Sequence, residues 1–281
     1  MSAMTISTKD ISELRGRTGA GMMDCKKALE EAGGDMALAG EILRKKGIAK
    51  AEKRAGRDAS QGVVMIEVAP DNTAGAMIEL NSETDFVARN DEFQALARRL
   101  VDHVLAKSPV GVTLDAFLQD SMDGKTIDEA VKEASGKTGE AMTVKRVARF
   151  GGTVAEYRHF NGQVGVLVEL DGATGPDAVA LAREVALHIA SADPLAVSTD
   201  DIPAELLDRE RRIAEEMVAA EGKPEAIRSK IVEGKVRKFA AERALLEQPF
   251  VKDESATVGQ MVGRIAGARV VRFARFKIGE A

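Results

Sequence analysis

The sequence predicts an α+β protein: a small three-helix bundle, then two related subdomains of antiparallel sheet and helix, the second carrying an inserted helical hairpin. Three observations carry that prediction. Capping residues and glycines cut the first sixty residues into three short helical segments. From residue 62 onward the chain resembles itself at a few fixed offsets. Within each copy, short strand-like apolar runs bounded by turn residues give way to longer runs of helical period. The expected boundaries are 1–56 for the bundle and a basic linker, 57–151 for the first subdomain, and 152–281 for the second, with the hairpin arm at 203–249.

In the bundle, Ser7 or Thr8 caps a helix that carries Ile11 and Leu14 and is expected to end near Gly16. GMMDCKKALEEAGG gives a second helix, with Met22, Cys25 and Leu29 on one side and Gly33–Gly34 as its stop. Asp35 caps a third, apolar at Leu38, Ile42 and Leu43 and expected to stop at Gly47. The run RKKGIAKAEKRAGR, 44–57, holds seven basic side chains. It reads as a solvated helical linker, with an acidic partner surface or an RNA backbone as the sharper alternative.

The repeat defines the rest. ALARRLVDHVLAKSPVGVTLD (95–115) aligns without a gap on ALAREVALHIASADPLAVSTD (180–200), with eight of 21 positions identical. Upstream, GAMIEL (75–80) matches GVLVEL (165–170), and each closes a β-hairpin, one turning at PDNT and the other at an Asn-Gly. Downstream, VKRVARF (144–150) matches VVRFARF (270–276) at five of seven positions, both reading as strands whose basic residues suit an edge. Each is preceded by a helix with a capping-box start, Thr126-x-x-Glu129 and Thr257-x-x-Gln260.

Changes of offset locate the differences between copies. Between the long helix and the short capped helix the offset grows from 85 to 131, so the second copy holds about 46 extra residues. They coincide with 203–249, which reads as two helices broken at Gly222-Lys223-Pro224. Leu206, Ile213 and Met217 are expected to face Ile227, Ile231 and Phe239. Such an arm offers a surface to a partner or to a second copy of the chain. Between hairpin and long helix the first copy runs NSETDFVARNDEFQ where the second needs only DGATGPDAV, five residues fewer. The fold can therefore make this connection without Asp85 and Phe86. Either those residues serve something other than connectivity, or Phe86 plugs the core.

Composition bounds the function classes. The chain has 281 residues, 44% hydrophobic and 30% charged, with net charge −5 and pI near 5.5. That is a globular composition without the basic footprint expected of a nucleic-acid binder. A lone Cys25 excludes an internal disulfide and suits a reducing compartment. No apolar run approaches membrane-span length, and the polar N-terminus lacks an apolar targeting segment, so a cytoplasmic protein without membrane contact is expected. His103, His159 and His188 are dispersed, with the first and third at matching repeat positions. No HExxH, CxxC pair or GxSxG occurs, and neither GKT has a phosphate-loop spacing. Neither catalytic residues nor a cofactor or metal site is expected.

RTGAGMMDCKKALEEAGGD (17–35) and ETDFVARNDEF (83–93) together resemble the elongation factor Ts family, with EQPFV (247–251) and VVRFARFKIGE (270–280) agreeing in the expected order. The resemblance implies a ubiquitin-associated-like bundle, two related core subdomains and an inserted arm. It implies a guanine-nucleotide exchange factor that binds elongation factor Tu, displaces Mg²⁺ and GDP, and allows GTP to bind during translation elongation. Thr84, Asp85, Phe86 and Val87 would approach the GTPase near its Mg²⁺. Phe86 would wedge between GTPase helices, and Asp85 would disturb the groups that hold the metal and its waters. Arg15, Met22 and Met23 match positions that touch the GTPase domain, with bundle core as the plainer reading of Met22. His159 would meet the partner's far domain. No direct nucleic-acid contact is implied, and the arm leaves room for a homodimer or a 2:2 complex. Some members continue into a C-terminal helical module; here the sequence ends at Ala281, which puts that contact in doubt.

Overall fold

The computed structural model of the chain describes residues 6–54, 56–221 and 224–280. It is α+β, as the sequence predicts. The chain forms two compact units, one of Met1–Met65, Met77–Ala148 and Lys277–Ala281, the other of Ile66–Ala76 and Arg149–Phe276.

The first unit begins with α1 (Thr8–Thr18), α2 (Met22–Glu31) and α3 (Met36–Glu52). Ser7 and Asp10 form a reciprocal capping box, and the Asp35 carboxylate accepts from the backbone N–H groups of Ala37 and Leu38. Ile11, Leu14, Cys25, Ala28, Leu29 and Ala39 make the bundle core. Two expected stops are wrong. α1 runs through Gly16 and ends at Gly19, whose φ of +69° supplies the left-handed cap. α3 runs through Gly47, because that glycine serves helix packing rather than termination. A Cβ on Gly136 would lie 2.9 Å from the Gly47 Cα, so the two glycines let helices approach at backbone distance. Most of the basic run is therefore the end of α3, with Arg44 3.6 Å from Glu133 and Glu52 3.6 Å from Lys132. Its Ala55 lies outside the described residues.

The first repeat copy follows: β1 (Gln61–Val68), β2 (Ala74–Ser82), α4 (Asp85–Ala88), α5 (Asp91–Lys107), α6 (Leu114–Gln119), β3 (Ser121–Met122), β4 (Lys125–Thr126), α7 (Ile127–Thr138) and β5 (Met142–Gly151). The second comprises β6 (Thr153–Arg158), β7 (Val164–Asp171), α8 (Pro176–Ala192), α9 (Ala204–Ala220), α10 (Glu225–Arg243), β8 (Pro249–Phe250), β9 (Asp253–Thr257), α11 (Val258–Val262) and β10 (Arg269–Lys277). The larger sheets have orders β1-β2-β5 and β10-β7-β6, which puts both final strands on an edge, as expected.

The repeat extends to burial. α5 and α8 occupy the same window at offset 85. Phe93, Leu96, Ala97, Leu100, Val101 and Val104 are buried on one; Ala178, Leu181, Ala182, Val185, Ala186 and Ile189 answer position for position on the other. The strand arginines are less free than an edge position suggests. Arg146 reaches the fully buried Glu79 at 2.5 Å, and Arg272 reaches Glu169 at 2.7 Å, a repeat-related pair.

In the arm, α9 and α10 pack through Ala214, Val218, Val232 and Val236. The expected seam is turned by about one residue: Ile213, Met217 and Ile227 are exposed. Ile231 packs against this seam as expected and Leu207 joins it from α9, while Ile213, Met217 and Ile227 lie outside it. Gly222 and Lys223, at the predicted break, lie outside the described residues. No described helix is long and apolar enough to cross a membrane.

Candidate functional site

The five extra residues of the first copy become one turn of helix. α4 spans Asp85–Ala88, with Thr84 at its N-cap in extended conformation and the Thr84 hydroxyl accepting from Val87 N–H. Asn90 caps the next helix two residues on, and the Gln94 side chain donates to the Ala88 carbonyl at 2.6 Å. Ala88 is buried and ties the turn down from its inner side.

Phe86 points away from that anchor and is 83% exposed. Of the two readings of this residue, plugging the core is excluded. A bare phenyl ring on a short, doubly capped helical turn gains nothing for folding, since its apolar surface stays in water. Asp85 is half-exposed beside it, its carboxylate 3.1 Å from the Arg89 guanidinium. Val87 is partly buried.

Thr84 belongs to the support rather than the tip. Its hydroxyl donates to Glu140 Oε1 at 2.8 Å and its backbone N–H to Glu140 Oε2 at 3.1 Å. Its neighbour Glu83 reaches the other way, accepting from Ala141 N–H at 2.6 Å and from Arg57 at 3.2 Å. Segments 83–84 and 140–141 thus hold each other by two carboxylates pointing in opposite directions. The Ala141 N–H, helped by Arg57 and Arg54, keeps the Glu83 carboxyl below its ordinary pKa. Glu140 is set in place by Gly139, the left-handed stop of α7, and by the buried Ser135 hydroxyl donating to the Glu140 carbonyl at 2.5 Å.

Met22 and Met23 sit on the first turn of α2, 41% and 64% exposed, so Met22 is not bundle core. Arg15 is exposed on α1. These three and the 84–87 turn belong to the first unit, whereas His159 belongs to the second. His159 lies at the β6–β7 turn, its Nδ1 3.0 Å from the Tyr157 hydroxyl. Its ring centroid is 4.5 Å from that of Phe160, which is 92% exposed.

Sequence reasoning missed Phe160, Glu83 and Glu140. For Phe160 a signal existed, because an aromatic inside an Asn-Gly hairpin tip has no sheet face to pack on. For the two glutamates none did, since nothing in local spacing pairs Thr84 with a residue 56 positions away.

A family model described as "Elongation factor TS" matches residues 83–280, the span from Glu83 through the final strand. The chain is 46% identical to an elongation factor Ts of Aquifex aeolicus, over 98% of this chain and 99% of the relative. It is 44% identical to those of Thioalkalivibrio sulfidiphilus and Alkalilimnicola ehrlichii, each over 99% of this chain and 93% of the relative.

Proposed function

The chain belongs to the elongation factor Ts family, and on that premise we propose that it is the guanine-nucleotide exchange factor of elongation factor Tu, acting in the cytoplasm. It binds the GDP-bound GTPase, displaces Mg²⁺ and GDP, and leaves a nucleotide-free form that GTP refills. The observation that carries this reading is the exposed Phe86 on a turn that the sister copy of the repeat does without. Phe86 is the wedge, and Asp85 beside it competes electrostatically for the groups around the metal. Thr84 and Val87 set the turn. Arg15, Met22 and Met23 hold the GTPase domain, and His159 meets a second domain of the partner.

Exchange by this route consumes nothing, so no reacting side chain is required. By linkage, the factor by which this chain weakens GDP binding is the factor by which GDP weakens binding of this chain. Burying one phenyl ring supplies roughly 2–3 kcal/mol, a limit of about a hundredfold. Larger accelerations need the supporting contacts of the bundle and of the second unit.

The test is stopped-flow release of a fluorescent GDP from elongation factor Tu. Phe86→Ala is expected to retain the far-UV spectrum and melting temperature of the parent. Release should slow at least about tenfold, within the phenyl-burial limit. An unchanged rate would remove Phe86 from the mechanism.

A further inference from the structure

We infer that Glu140 is a positioning residue for exchange, holding the wedge turn in its projecting attitude together with Glu83. The inference rests on the reading of Phe86 as the wedge and goes beyond it to what aims that side chain. α4 is a single turn, too short to hold its own direction. Its N-terminal end is fixed by Glu140, which takes both polar groups of Thr84, the hydroxyl at 2.8 Å and the N–H at 3.1 Å. Because Thr84 is the N-cap, this grip sets where the first helical residues, Asp85 and Phe86, begin. Glu83 closes the other half by accepting from Ala141 N–H at 2.6 Å. The two carboxylates prevent both sliding and rotation of 83–84 against 140–141, which a single hydrogen bond would not.

The sister copy shows what the same junction looks like without a wedge. There the connection that leaves β7 meets the segment before β10 glycine to glycine. A Cβ on Gly172 would fall 1.9 Å from the Gly267 carbonyl oxygen. Besides this backbone contact, that copy joins the two segments by one exposed pair, Asp171 with Arg269, so two carboxylates gripping a helix N-cap are not demanded by connectivity. They accompany the residues that carry Phe86.

The experiment measures GDP release from elongation factor Tu as a function of the concentration of this chain, using the full chain, and separates the saturating rate from the half-saturating concentration. Glu140→Ala is expected to lower the saturating rate about tenfold, the scale of losing charge-assisted hydrogen bonds, while the half-saturating concentration changes less than about threefold. Glu140→Gln is expected to recover most of the rate, since an amide can accept from the Thr84 N–H and donate to its hydroxyl oxygen. The double variant Phe86→Ala/Glu140→Ala should be no slower than Phe86→Ala alone, because Glu140 acts through the ring. If Phe86→Ala is slow but Glu140→Ala matches the parent, or if the two losses multiply, the positioning role is overturned and the wedge stands. If Phe86→Ala itself matches the parent, the wedge falls and the positioning role falls with it. Should Glu140→Ala fail to fold, Thr84→Val removes the hydroxyl that donates to Glu140 and caps Val87 N–H, while keeping the backbone N–H bond to Glu140. It is expected to show the same split at smaller size, and a parent-like rate there overturns the proposal.

Discussion

The two repeat copies keep the same hairpin, the same 17-residue helix with the same buried apolar positions, and the same cross-strand glutamate–arginine pair. They part at the connection between hairpin and helix. In the second copy Asp171 leads into Gly172 and Gly175, the chain lies against Gly267, and α8 begins with Pro176 at its first turn. In the first copy the path is longer, passes through a capped helical turn, and leaves a phenyl ring in water. Shared elements report what the subdomain needs in order to fold. The added turn is not among them, and its phenyl ring buries nothing within the chain.

The ion pairs break the comparison most sharply. Glu79 is completely buried, whereas Glu169 keeps some exposure and its arginine more. Arg146→Met strands a buried carboxylate and is expected to destabilise by about 3–5 kcal/mol. Arg272→Met should cost about 1 kcal/mol. Urea denaturation of both variants tests this, and equal losses would mean that the copies carry their charge alike. Next in size is a graft. Replacing NSETDFVARN (81–90) by DGATG, which keeps the buried Phe93 and all of α5, should leave the circular dichroism spectrum intact and reduce exchange on elongation factor Tu by about a hundredfold or more. A graft that unfolds would show that the turn serves the first copy's stability after all.

The glycine junction is a finer probe. Gly172→Ala combines a φ of +75° with a collision on the Gly267 carbonyl and is expected to lower stability by about 3 kcal/mol. Gly175→Ala, at φ +87° and ψ −176° in a region open essentially only to glycine but with no collision, should cost less, about 2 kcal/mol in the same melts.

Smallest is the pH response, which distinguishes the repeat-related histidines. His188 is buried, accepting from Val251 N–H at Nδ1 and meeting Gln248 Oε1 at 2.9 Å with Nε2. Burial holds its pKa below the ordinary value. The unfolded chain therefore takes up the proton first as pH falls. The stability contributed by the neutral ring is present above about 6.5 and is lost as pH falls from there through the depressed folded value. In the first copy the partner of His103 is Asp120, whose carboxyl is held low chiefly by that hydrogen bond. Its contribution persists down to about pH 4 and is lost only below. Denaturation midpoints measured from pH 8 to 5.5 should fall for the parent and flatten for His188→Gln.

Local chemistry made much of this legible. Capping boxes at Thr126 and Thr257 form as their spacing demands, and an ungapped offset located both long helices. Features that need a distant partner were not legible. Gly47 looks like a stop until Gly136 is beside it. The arm's seam prefers Ala214 and Val218 over Ile213 and Met217 because close helix approach favours small side chains, which periodicity alone does not rank. Asp85 and Phe86 stood out in the chain, but the carboxylates that hold their turn did not.

The Gly47–Gly136 contact has a mechanical side. α3 is a strut of 17 residues, about 25 Å long, with Asp35 seating its near end in the bundle. At Gly47 it bears on α7 with no compressible side chain between the backbones. α7 ends two residues beyond that bearing point, at Thr138, and Glu140 follows its Gly139 stop directly. The bundle is thus joined through α3 and α7, backbone against backbone, to the foot of the turn that carries Phe86. Swapping Gly136 for a bulkier residue would put a shim into that linkage.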